Sequence, residues 1–425
     1  MHRMFRRFAF VALWLGVLGA CGSEATDAPR NEAGTPEARS DAGPGRADAE
    51  ARAPDAGRPD GSTDTPDAGE TPDASADGRT HIRVHYAGNP GTLSLRGSVA
   101  PLAWDESAAL EQVEPGVYEW ASADPTTSFE WKPMLDATWS LGPNYVAKPG
   151  TTIDVAPHFT RVAGEVTRRW PDFVSTQLPR ARGIWVYLPP TYLENTAARF
   201  DVLYMHDGAN LFSPATAYGG VEWQVDETMN AGAATGAIRE TIVVGIEGTS
   251  ERIYELTPSV DPGRNAGGGA DRYLSMIRTE IMPKVNGELR TLTGPGHTGV
   301  MGSSLGGLVS VYAAVHQADV FGVVGAMSPS TWWDGRMILG EVASMPAQRP
   351  RRIYVDSGDS GVEQDDRANT ALLDQALVTA GYVEGESLKY VVQSGAEHNE
   401  RYWAERLPGA LRFLLGAREH TAVAP

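Results

Sequence analysis

The stretch Thr298-Gly299-Val300-Met301-Gly302-Ser303-Ser304-Leu305-Gly306-Gly307-Leu308-Val309-Ser310-Val311-Tyr312 decides the fold. Its first five residues form a short apolar run, the pattern of a strand buried on both faces. Over residues 306–318 the apolar side chains take helical spacing instead. Between strand and helix lies Gly302-Ser303-Ser304-Leu305-Gly306, a Gly-x-Ser-x-Gly pentapeptide. A serine on so tight a turn stands clear of the sheet, and side chains larger than glycine would clash beside it. The same turn aims the Leu305 backbone N–H, at a helix N-terminus, toward negative charge developing near Ser304. Five residues alone are a weak signal; the strand-to-helix setting gives them weight.

Outward from this point, strands alternate with helices. Upstream, apolar runs predict strands over 183–188, 200–206 and 241–246, and helical periodicity covers 273–290. Downstream, strands are predicted over 320–326, 352–355 and 388–392, closed by an amphipathic helix over 403–415. That alternation predicts a mostly parallel α/β sheet occupying residues 158–418.

A serine hydroxyl is a poor nucleophile near neutral pH without a base, and the base itself needs an orienting acid. In this kind of sheet the chain order is Ser, acid, His. His398 follows the strand at 388–392 and precedes the last helix, where such a base belongs; His316 sits on the helix after the pentapeptide and His420 in the tail. The acid is expected in the loop after 352–355, which offers Asp356, Asp359, Glu363, Asp365 and Asp366. Asp359, just beyond Gly358, ranks first, with Glu363 and Asp365 close behind. A second oxyanion donor is expected after the strand at 200–206, from the N–H of Gly208 or Ala209. His206 and Asp207 lack a partnering ligand motif, so neither metal nor cofactor is expected.

The rest of the chain sets the address. Residues 1–21 join Arg3, Arg6 and Arg7 to an apolar stretch and end in Leu18-Gly19-Ala20-Cys21, a secretory signal. Cys21 is the single cysteine of 425 residues, so no intrachain disulfide can form, and it falls where the lipobox of bacterial lipoproteins has its own. That resemblance implies a lipidated Cys21 and a protein held by lipid in the bacterial envelope, at the outer membrane or cell surface. Residues 22–79 are rich in Ala, Asp, Pro and Gly and lack aromatics, so they read as an extended tether. The net charge of −18 argues against a nucleic-acid partner. Residues 80–157 alternate in short runs broken by Gly and Pro, which predicts a small immunoglobulin-like β-sandwich. The pieces Leu95-Arg96-Gly97-Ser98, Trp104, Phe129-Glu130-Trp131-Lys132-Pro133 and Ala137-Thr138-Trp139 resemble starch-binding-type modules. Trp104, Trp131 and Trp139 are therefore candidates either for stacking on sugar rings or for the core of the sandwich.

From Arg182 to Leu415 the chain resembles the esterase-like family of α/β hydrolases that includes enterochelin esterases, feruloyl esterases and esterase D. The carrying residues are Tyr204-Met205-His206-Asp207-Gly208-Ala209-Asn210, Glu222-Trp223, Val244-Gly245-Ile246-Glu247-Gly248, the Ser304 pentapeptide, Ser328-Pro329-Ser330 with Trp332-Trp333, and His398-Asn399-Glu400 with Trp403. The resemblance implies Ser304 and His398 as the reacting pair and the Gly208 loop as the oxyanion side. It also implies Trp332 or Trp333 beside a pocket for a small-molecule or polysaccharide ester. The family pattern has Gly-x-x-Asp or Gly-x-x-Glu in the acid loop, whereas the third residue beyond Gly358 is Gly361. Two other outcomes fit the same residues: a non-catalytic glycan-binding lipoprotein on a hydrolase scaffold, and an acyltransferase.

Overall fold

The computed structural model describes residues 74–87 and 91–417, all within one compact unit. The signal, Cys21 and most of the expected tether lie outside the described residues. The tether was expected to reach residue 79, yet Ala74 already pairs with Thr151 and the Ser75 N–H donates to the Gly150 carbonyl at 2.8 Å. Pairing with the following domain thus starts earlier than composition suggested.

That domain is a β-sandwich. One sheet runs Glu111–Glu114, Val117–Ser122, Thr80–His85, Thr152–Val155; the other runs Ala108–Ala109, Leu93–Gly97, Phe129–Leu135, Thr138–Trp139, with Tyr145–Ala147 also on Phe129–Leu135. Thr80–His85 alternates strictly, with Ile82 and Val84 fully buried. They meet Leu95, Trp131, Ile153 and Val155 in one core.

Eight strands build the main sheet: β1 Glu165–Phe173, β2 Arg182–Leu188, β3 Asp201–His206, β4 Thr241–Ile246, β5 Thr298–Ser303, β6 Val323–Met327, β7 Arg352–Gly358 and β8 Leu388–Gln393. Their spatial order is β1-β2-β4-β3-β5-β6-β7-β8. β2 is antiparallel to both neighbours, and every pair from β4 to β8 is parallel. The helices that matter here are α1 Val225–Thr235, α2 Leu305–His316, α3 Trp333–Ala343, α4 Arg367–Thr379 and α5 Glu400–Leu415. Successive residues of β3 serve opposite faces, Val202 and Tyr204 packing with α2 and α3, Leu203 and Met205 with α1 and α5. Apolar runs without alternation result because both faces are covered. This is the α/β-hydrolase architecture. β1 escaped the sequence reading: it is an edge strand, interrupted by register shifts and mostly exposed, so it lacks a buried-strand signature.

Glu194 is one junction between the two domains. Glu194 accepts the N–H groups of Phe159, Thr160 and Arg161 at 2.6, 2.9 and 2.9 Å, and the Tyr86 hydroxyl of the sandwich at 3.1 Å. The neighbouring Asn195 donates to the carbonyls of His85 and Pro157, each at 2.9 Å. Burial works to raise the Glu194 pKa, but the Thr160 hydroxyl, 2.7 Å from the carboxylate, and the three backbone N–H groups outweigh it and hold the carboxyl below its ordinary value of 4.5. A carboxylate with a depressed folded-state pKa stabilises the fold above its unfolded pKa, and that contribution is lost as pH falls through the folded value. Glu194→Gln should therefore lower the thermal midpoint by a few degrees at pH 7. The gap to wild type should close as pH drops below 4.5. A pH-independent gap in differential scanning fluorimetry would contradict this account.

Candidate active site

Because β3 and β5–β8 are parallel, the loops that follow them open at one edge of the sheet. Ser304, the Gly208 turn, Ser328, Asp365 and His398 all follow strand ends there. Ser304 takes φ 56°, ψ −121°, a conformation that L-residues avoid, between the end of β5 and the start of α2. Its N–H donates to the Met327 carbonyl and its carbonyl accepts the Ser330 N–H, both at 3.0 Å. Its hydroxyl, half-buried, lies 3.3 Å from that of Ser330. The glycines of the pentapeptide are there for space: a Cβ at Gly302 would come within 2.8 Å of His206 Cδ2.

The loop after β3 is clamped. Asp207 takes the left-handed conformation and binds Arg252 through two contacts, at 2.7 and 2.8 Å. Gly208 follows in a buried turn where a Cβ would meet the Gly245 carbonyl carbon at 2.5 Å. Ala209 follows Gly208 in the same turn, half-buried. His206, fully buried against Tyr273 with Nδ1 2.8 Å from its hydroxyl, is pushed down to about 4 by burial. It is neutral near pH 7 and fills space beneath the turn.

His398 follows β8, its ring packed edge-on to Trp403 at 5.0 Å. Its Nδ1 lies 2.5 Å from Oδ1 of Asp365. Asp359, ranked first from the sequence, is elsewhere: its Oδ1 accepts the Gly395 N–H at 2.7 Å. Glu363 is exposed, and Asp366 accepts from Asn369 at 2.5 Å. The physical reason is the backbone. Glu363, Gln364, Asp365 and Asp366 all adopt left-handed φ of 53–54°, a turn no propensity scale would foresee in non-glycine residues. That turn folds Asp365 back onto the strand end, where its Oδ2 accepts the N–H of Gly358.

Asp365 is 1% exposed. Burial works to raise its pKa, yet the hydrogen bonds from His398, the Gly358 N–H and the Ser328 hydroxyl prevail and hold the carboxyl below the ordinary Asp value. Ser328, after β6, stands 2.7 Å from Oδ2 of Asp365, 3.0 Å from Trp403 Nε1 and 2.9 Å from Arg406 Nη2. Arg406 also lies with Nε 2.8 Å from Oδ2 of Asp356, a close charge contact whose N–H is poorly aligned for a hydrogen bond. The sequence offers Ser328 in a family block and Asp356 among the acid candidates, but neither Arg406 nor the grouping of the three was foreseen. One signal was there: Arg406 falls on the apolar stripe of α5 between Trp403 and Ala410, and a cation at such a position demands a buried partner.

The two candidate pocket tryptophans separate. Trp333 is buried, its Nε1 donating to the Ser259 carbonyl at 3.0 Å, and belongs to the core rather than to a pocket. Trp332 is half-buried beneath the Arg264 guanidinium, 4.5 Å from its ring. Among the described residues, Glu222, Asp226 and Glu227 gather carboxylate oxygens within 4.8 Å of one another. Burial, helped by mutual repulsion, pushes Glu222 up to about 7 and Asp226 up to about 6, so proton uptake relieves the crowding.

The family model "Putative esterase" matches residues 175–414, more than half of the chain. The uncharacterized protein YbbA of Bacillus subtilis is 26% identical over 250 residues, 56% of this chain and 95% of its own. The siderophore enterobactin esterase of Emericella nidulans is 31% identical over 157 residues, 33% of this chain and half of its own length. The solved enterobactin esterase FES from Shigella flexneri is 17% identical, with a TM-score of 0.48 over 76% of this chain and 88% of that one. With its strand-turn-helix serine inside the matched span, the chain belongs to the esterase family of enzymes.

Proposed function

We propose that the protein hydrolyses carboxylic esters through Ser304, His398 and Asp365 by an acyl-enzyme route. The observation that carries this reading is the 2.5 Å contact between His398 Nδ1 and the buried Asp365 at the same sheet edge as Ser304. Asp365 holds the Nδ1–H tautomer, which leaves Nε2 free to take the Ser304 proton. Ser304 Oγ adds to the ester carbonyl, and the oxyanion is met by the Leu305 N–H and that of Gly208 or Ala209. His398 then gives its proton to the leaving alcohol, and water attacks the acyl-enzyme with His398 again as base. Trp332, half-buried under Arg264, is the tryptophan of the pair left to contact the ester.

For the substrate, an acylated carbohydrate is favoured over a siderophore lactone by the sandwich. Of its candidate tryptophans, Trp131 is fully buried and stacked on Tyr145, a core residue. Trp104 and Trp139 are 38% and 37% exposed and 6.0 Å apart. With Lys132 and Asn144 they line a cleft of about 490 Å³. Aromatic faces beside polar groups suit a sugar, whose ring has apolar C–H faces and a hydroxyl rim. The same protein is anchored in the envelope by lipid on Cys21, for which the lipobox Leu18-Gly19-Ala20-Cys21 is the support.

Three outcomes follow. Ser304→Ala should abolish turnover of a p-nitrophenyl ester, and Asp365→Asn should cut kcat by at least about a hundredfold, while Asp359→Asn leaves it within about twofold. Equal losses for the two Asp variants would overturn the choice of acid. Trp139→Ala should weaken retention on immobilised polysaccharide by about tenfold without touching p-nitrophenyl ester turnover; unchanged retention would remove the sugar reading. Cys21→Ser should move the protein from the membrane to the soluble fraction, and continued membrane association would contradict lipidation there.

A further inference from the structure

We infer that Ser328 and Arg406 are positioning residues that hold the Asp365 carboxylate aimed at His398. The inference deepens the proposed function and rests on that reading of the Asp365–His398 pair. Ser328 has three polar neighbours, and chemistry fixes what each contact is. Trp403 Nε1 and Arg406 Nη2 are obligate donors, so both must give hydrogens to the Ser328 oxygen. The single Ser328 proton is then left for Oδ2 of Asp365, 2.7 Å away. Oδ2 is thereby occupied by Ser328 and by the Gly358 N–H, and Oδ1 is committed to His398.

Arg406 supplies the charge behind this arrangement. It is 6% exposed, its Nη2 is 4.0 Å from Oδ2 of Asp365, and its Nε is 2.8 Å from Asp356, which is fully buried. One guanidinium thus serves two buried carboxylates. Burial raises the Asp356 pKa and Arg406 opposes it, so the cation is shared between them. Trp403 closes the circuit, donating to Ser328 through its indole N–H while its ring packs against the His398 ring. Removing the Ser328 hydroxyl frees one lobe of the Asp365 carboxylate to rotate and leaves two buried donors without an acceptor.

The backbone offers a clean test. Ser328 sits at φ 40°, a conformation glycine adopts without strain, so Ser328→Gly deletes the hydroxyl at a position where the chain itself prefers glycine. On a p-nitrophenyl ester, kcat should fall about tenfold with KM within about twofold, while the two orphaned donors lower the thermal midpoint by a few degrees and leave the enzyme folded at assay temperature. The far-downfield proton resonance of the His398–Asp365 hydrogen bond should broaden or vanish. Arg406→Lys, which keeps the charge with fewer donors, should retain more activity than Arg406→Met. A Ser328→Gly enzyme with wild-type kcat and an unchanged downfield proton would overturn the inference. Should Asp365→Asn be fully active, the reading of the pair itself fails; should it be impaired while Ser328→Gly is not, only the role of Ser328 fails.

Discussion

A buried negative charge that must stay negative governs this site. Moving a carboxylate out of water favours its protonation, and a protonated Asp365 would have little to offer an imidazole. The protein counters with a backbone N–H, a hydroxyl and a shared guanidinium on one side of the carboxyl and His398 on the other. Each of these groups arrives from a different segment: Gly358 ends β7, Ser328 follows β6, Arg406 and Trp403 come from α5. The register of the parallel strands is what allows them to converge. A one-residue slip of β7 against β6 would carry the Gly358 N–H and the Asp365 loop away from Ser328 together.

The same requirement explains where the sequence was readable. The β5 strand and the α2 helix follow from local apolar patterning, and Ser304 between them follows from glycine spacing. His398 follows from chain order, because a loop after a late strand leaves few histidines to choose from. The identity of the acid does not follow, since it depends on four successive left-handed residues that no local preference encodes. Asp359 is nearer in sequence but serves the turn at Gly395 instead. Such strain persists only where surrounding contacts overdetermine it, and the Gly358, Ser328 and His398 bonds to one side chain do so here.

The tryptophans show the same limit from another direction. Sequence could name Trp104, Trp131 and Trp139 as a set but not sort them, since strand alternation predicts a face and not which face is covered. Their exposures of 38%, 0% and 37% make the division. Trp332 and Trp333 divide likewise, because adjacent residues at a helix start point different ways. Glu194 meanwhile ties the strand-rich domain to the α/β domain through the Tyr86 hydroxyl and the backbone N–H groups of the connecting segment, and such backbone bonds leave no residue-type signature.

The central claim is that Ser304 is a nucleophile activated by the His398–Asp365 pair. A fluorophosphonate probe tests it directly, since an activated serine hydroxyl displaces its fluoride and forms a stable covalent adduct. Labelling of the folded protein followed by peptide mapping should place a single adduct on Ser304, with the rate falling sharply in Asp365→Asn. No adduct, or an adduct on another serine, would contradict the account.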